Sequence, residues 1–225
     1  MTRPDPRRLG DLTRDDLTDR PVLAIPLGSC EQHGPHLPLD TDTRLATAFA
    51  EGLAAARTGV LVAPPLPFGA SWEHAGFPGL LSVDHDLLSG ILVELARSAD
   101  WSAGLVVVNG HGGNAPGVRA AAARISAEGR RVLVWSPRPP GADLHAGRTE
   151  TSLLLALDRD AVRADRLAGA HGFDGPLAQV VERGVAALSP SGVLGDARHA
   201  DAAHGARLFE HLIADLIAAY DRWAG

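Results

Sequence analysis

The stretch VLAIPLGSCEQHGPH, running from Val22 to His36, decides how the chain is read. Its first part, Val22–Leu27, is a short apolar run closed by Gly28, the pattern of a buried strand. Its second part places Glu31 and His33 two residues apart, and on extended backbone that spacing turns both side chains to one face. In an open α/β sheet the ligand site lies beyond the carboxyl ends of the strands. A strand that empties into carboxylate and imidazole therefore asks whether the other strands do the same.

Each of the other three strand exits carries histidine, and two of them carry glutamate as well. Thr43–Arg57 reads as a helix and Val60–Ala63 as a second strand, ended by Pro64 and Pro65. His85–Ser98 reads as a helix, with Leu87, Leu88, Ile91, Leu92 and Leu95 at helical spacing. Gly104–Val108 is a third strand, Val118–Glu128 a helix and Val132–Trp135 a fourth strand, closed by Pro137. Thr149–Leu157 and Ala203–Trp223 complete the helices, and the Gly-rich segment Ala164–Asp196 is expected as a long loop or small hairpins. Strands separated by helix-length segments predict parallel βαβ units in one α/β domain over residues 1–225. Glu31, His33 and His36 follow the first strand, Glu73 and His74 the second, His111 the third, and His145 and Glu150 the fourth.

Composition narrows the chemistry. All 21 basic residues are arginine, so a Walker lysine, a Schiff-base lysine and a lysine general base are excluded. The net charge of −6 argues against a nucleic-acid partner. A single cysteine, Cys30, rules out a disulfide within the chain, and at a strand end it is expected to pack rather than attack. No apolar run has the length of a membrane span, and the first residues lack the apolar core of a secretory leader, so the cytoplasm is the expected compartment. Ten histidines against one tyrosine direct attention to metal and acid–base work.

Asp42 is either a plain helix cap or a ligand, and beside Glu31, His33 and His111 the ligand reading is preferred. Mixed imidazole and carboxylate donors suit Zn²⁺, Fe²⁺ or Mn²⁺, and a shared carboxylate would support a two-metal hydrolytic centre. Gly110-His111-Gly112-Gly113-Asn114-Ala115 fits a dinucleotide fingerprint literally, but the acidic residue expected about 20 positions on is absent, as the chain there reads Val-Trp-Ser-Pro. His145 reads as a general acid–base, and Glu150 as a ligand, an orienting group or a helix-dipole carboxylate.

Glu31-Gln-His33-Gly-Pro-His-Leu-Pro-Leu, Asp42, Asn109-Gly-His111-Gly-Gly-Asn114 and His145-Ala-Gly-Arg-Thr-Glu150-Thr-Ser resemble the creatininase family. The resemblance implies a three-layer α/β/α sandwich with a mostly parallel sheet, hydrolysis of C–N bonds with two divalent ions, and a homo-oligomer, often hexameric. It implies Asp42 as the bridging carboxylate, Glu31 and His111 as ligands of one ion, His33 of the other, and His145 as the catalytic histidine. Creatininase itself carries a glutamate where this chain has Gly113, which leaves the second ion one ligand short; Glu150 is the expected replacement. Glu73 and His74 are expected on the substrate side. Pro38–Arg44 and Gly184–Asp196 narrow the resemblance to members that cut a modified, ribosomally made precursor peptide and release its C-terminal Val-Tyr dipeptide. A small-molecule amidohydrolase, such as a ring opener or formamide deformylase, would use the same centre, and a non-catalytic metal binder is the reading from a different class.

Overall fold

In the computed structural model, which describes residues 7–17 and 19–225, four strands form a parallel sheet. They are β1 (Val22–Leu27), β2 (Val60–Val62), β3 (Gly104–Asn109) and β4 (Val132–Trp135), in spatial order β2-β1-β3-β4. Val22 pairs with Val60 on one side and Gly104 on the other.

Consecutive strand residues are apolar because both faces are covered. Val22, Ala24, Val60, Val62, Val106 and Val108 pack on Leu45, Phe49 and Leu53 of α1 (Thr41–Ala56), Leu153 of α4 (Arg148–Leu157), and Leu212 and Leu216 of α7 (Ala202–Ala224). Leu23, Ile25, Leu61, Leu105 and Val107 pack on Leu88 and Leu92 of α2 (His85–Ser98) and on Val118 and Ile125 of α3 (Ala115–Ala127). The result is the expected α/β/α sandwich. Phe49 is fully buried between Trp135 and Phe209, and its truncation to alanine is worth about 3–5 kcal/mol.

Pro26 sits inside the central strand, where a missing N–H would ordinarily break the ladder. Its carbonyl accepts from Leu66 N, so its nitrogen faces the β2 side. The β2 pairing already ends at Ala24–Val62, and no ladder donor is lost.

Two helices begin two or more residues earlier than the sequence suggests. α1 starts at Thr41, and Asp40 spends its carboxylate on Arg44 rather than on a cap. α3 starts at Ala115, with Pro116 in its first turn, where a proline costs no intrahelical bond. The segment 164–196 is not hairpins: it holds the short helices α5 (Leu177–Arg183) and α6 (Val185–Leu188) and returns along His145 and His171 through isolated bridges.

The chain lays β2 on one side of β1 and then crosses to place β3 on the other. The strand order therefore reverses between β1 and β3, and the loops that carry Glu31, His33 and His111 leave the sheet at that point.

Candidate metal centre

Asp42 reaches the switch point because α1 seats its first turn on the strand ends. A side chain on Gly28 would overlap Thr43, and one on Gly110 would overlap the Asp42 carbonyl. The Asp42 carboxylate turns inward rather than capping the helix. Its Oδ1 lies 3.2 Å from His33 Nε2, its Oδ2 lies 3.2 Å from His111 Nδ1, and Ser29 Oγ donates to Oδ2.

The partners of each imidazole fix which nitrogen is free. His33 Nδ1 lies 3.2 Å from the Glu31 carbonyl and donates to it, so Nε2, facing Asp42, is the nitrogen a metal ion would take in place of a proton. His111 Nε2 lies 3.2 Å from the Ala70 carbonyl, so Nδ1, facing Asp42, is the nitrogen a metal ion would take in place of a proton. His145 Nε2 lies 2.8 Å from the Gln32 carbonyl, which leaves Nδ1 bare and 3.5 Å from Glu31 Oε1.

Glu31 is the strongest indication of a cation. It is wholly buried, and neither carboxylate oxygen receives a hydrogen bond. His74 Nε2 and His111 Nε2 stand 3.1 and 3.3 Å from its two oxygens without aligning a proton on either. An uncompensated carboxylate at that depth is costly. Burial pushes Glu31 and Glu150 up to about 7. Burial also pulls the imidazoles down, yet Asp42 lifts His33 to about 9, and Glu31 and Asp42 lift His111 well above its usual range. The pocket demands positive charge.

The donor set fits divalent ions. Glu31, Asp42 and His111 form one group of mutually close ligand atoms; His33, Asp42 and Glu150 form a second; Glu31, His33 and His145 form a third. Ligands about 2.1 Å from one ion stand about 3.0–3.4 Å from each other, which is the separation of Asp42 from both histidines. Asp42 belongs to two groups and offers a different oxygen to each histidine.

Glu150 lies in the first turn of α4, and its Oε2 also accepts from Ala146 N at 2.7 Å, so the helix-terminus and ligand readings coexist. Glu73 sits at the mouth, about a quarter exposed, with Oε1 3.2 Å from His111 Nε2. His74 is buried between the rings of His111 and His145. Cys30 faces the Gly79 carbonyl, and burial raises its thiol, which suits packing.

Other polar residues around the centre carry no charge, and although some stand inside the quoted motifs, the sequence assigned them no role. Asn114 accepts from Ala70 N and donates to the Gly28 carbonyl and Asn109 Oδ1, tying three strand-exit loops together. Asn109 in turn holds the His111 carbonyl at 2.8 Å. Gln32 and Ser29 are likewise buried beside the ligands.

A doubly covered parallel sheet with clustered carboxylates and imidazoles at its switch point defines a metal-dependent hydrolase. The model of the family described as creatininase, creatinine amidohydrolase, matches residues 11–220, and the chain belongs to that family. It is 44% identical to the mycofactocin precursor peptide peptidase of Mycobacterium ulcerans, over 96% of this chain and 91% of that one. A crystal structure of creatinine amidohydrolase superposes with a TM-score of 0.80 at 28% identity, covering 95% of this chain and 96% of the other. A creatininase structure whose name specifies manganese gives 0.75 at 26% identity, covering 96% and 98%.

Proposed function

We propose that this chain, acting as one domain, hydrolyses an amide bond of the modified mycofactocin precursor peptide and releases its C-terminal Val-Tyr dipeptide. The observation that carries the reading is likeness to a named peptidase along nearly the whole chain, combined with a buried donor set suited to two ions. Glu31, Asp42 and His111 would hold one ion, and His33, Asp42 and Glu150 the other, with Zn²⁺, Fe²⁺ and Mn²⁺ all compatible. Such ions supply Lewis acidity toward the amide carbonyl and acidify water.

His145 handles the proton. Its Nε2–H is committed to the Gln32 carbonyl, so Nδ1 is the working atom. Burial, with His33 and His74 nearby, holds its pKa well below the usual range, so it meets the substrate neutral. Nδ1 takes one proton from the attacking water and delivers it to the departing amine nitrogen, while the hydroxyl remains on the acyl carbon. General acid–base transfer of this kind contributes about 10²–10⁴-fold. Glu73, at the mouth with its carboxyl held below the usual range, faces the substrate.

The chain is proposed to assemble with copies of itself. Phe68, Trp72 and Leu81 are exposed together along a groove of about 420 Å³ beside the mouth, apolar surface that a second copy would cover. Among the described residues no helix is long and apolar enough to cross a membrane.

The test is incubation of metal-loaded protein with the modified precursor peptide, followed by mass spectrometry. Release of the dipeptide is expected. Cleavage of creatinine or formamides with the peptide left intact would replace this reading with that of a small-molecule amidohydrolase.

A further inference from the structure

Gln32 lies between two assigned ligands and is itself buried. Its amide orientation is determined from both ends. Gly34 N can only donate, and it stands 2.8 Å from Oε1; the Gly192 carbonyl can only accept, and it stands 3.0 Å from Nε2. The second proton on Nε2 points at His74 Nδ1, 2.9 Å away. His74 Nδ1 must therefore be a lone pair, and the ring proton sits on Nε2, 3.1 Å from Glu31 Oε1. The main-chain carbonyl of the same residue accepts from His145 Nε2.

One residue thus sets two imidazoles. We propose that Gln32 is a positioning residue. Its side chain fixes His74 as the Nε2–H tautomer, and its carbonyl fixes His145 as the Nε2–H tautomer. His74 then carries a proton, not a lone pair, on the nitrogen nearer Glu31, and is kept out of the ligand set. His145 keeps a bare Nδ1 on the side of Glu31 and the metal pocket.

The segment Gly184–Asp196 gains a task from this. Gly192 has φ +79°, and a side chain there would overlap Gln32 Oε1. Two residues on, Leu194 exchanges backbone hydrogen bonds with His145. The same strap therefore grips the catalytic histidine by its backbone and the glutamine by its side chain. Metal ligands whose outer partners are removed lose about 10–100-fold in affinity or activity, which sets the expected scale.

The inference rests on the proposed roles of Glu31 and His145, but its first test does not need turnover. Zinc-loaded, ¹⁵N-histidine-labelled protein is examined by long-range ¹H–¹⁵N correlation. His74 and His145 are both expected as Nε2–H tautomers. A protonated Nδ1 or a zinc-bound nitrogen on His74 overturns the proposal without any variant. Gln32→Glu removes the donor that His74 requires, and Gln32→Met removes all polarity at similar length. Each is expected to change the His74 signals and to lower kcat about 10–100-fold with KM little altered. Gly192→Ala should do the same, and the Q32M/G192A double variant should lose no more than the worse single variant. Unchanged tautomers and unchanged kcat in Gln32→Met overturn it. Failure to cleave the peptide, with the tautomers as expected, would count against the proposed substrate and leave this assignment standing.

Discussion

The two halves of the centre are built differently. Glu31, Asp42 and His111 come from the loop after β1, the seat of α1 and the loop after β3, all fastened to the sheet at its switch point. His33 and Asp42 share that frame, but Glu150 comes from α4, which the chain reaches only after leaving β4 and passing Pro139 and Pro140. The first half has a carboxylate with no hydrogen bond on either oxygen; the second has one already accepting from Ala146 N. The lesson is that a sheet-borne half is preorganised, whereas a helix-borne half depends on how that helix docks. Gly113 cannot restore the balance, since a side chain there would overlap both Glu73 and His111.

The largest effect should come from the residue the halves share. Asp42→Asn is expected to lose both ions and nearly all activity, beyond the roughly 10–100-fold cost of residues that only orient ligands. Metal analysis and kcat/KM report it. Retention of two ions would show that Asp42 does not bridge.

His145 belongs to neither half as proposed. His145→Gln should keep both ions and lower kcat by about 10²–10⁴-fold. Loss of an ion instead would make His145 a ligand, as its proximity to Glu31 and His33 permits, and would redraw the comparison.

A smaller effect should separate the halves directly. Glu150→Gln is expected to take metal content from two ions toward one, sparing the ion held by Glu31, Asp42 and His111. Metal titration followed by elemental analysis decides it. An unchanged second ion would remove Glu150 from the ligand set.

This asymmetry also marks what could be read in the sequence. Every strand is an unbroken apolar run because both faces are covered, so β1 to β4 were legible, and the ligand-bearing residues follow strand ends where chemistry concentrates. Asp42 was legible as a choice between cap and ligand, which only its inward turn resolves. Gln32, Asn109 and Asn114 were not legible, because an amide looks alike whether solvated or buried between two imidazoles. The α5–α6 region was missed because two helices of seven and four residues bury only Val180 and Val185, too few positions to establish a period.

The docking of α4 offers the smallest prediction. His36, wholly buried on the β1 loop, bonds through Nε2 to Thr151 Oγ1 at 2.7 Å, one residue from Glu150. Burial, and then His33, lowers its pKa to about 4. The unfolded chain binds this proton near pH 6.5 and the folded chain only near 4, so stability falls as the pH drops from 6.5 toward 4. The contribution is at most about 1.4 kcal/mol per pH unit. Gln keeps a hydrogen-bonding partner for Thr151 and does not titrate. Melting of His36→Gln in chelator between pH 7 and 5 should therefore show a shallower loss than the parent chain. Equal slopes would mean that acid does not loosen α4 through His36, and that any weakness of the Glu150 half lies in its ligands alone.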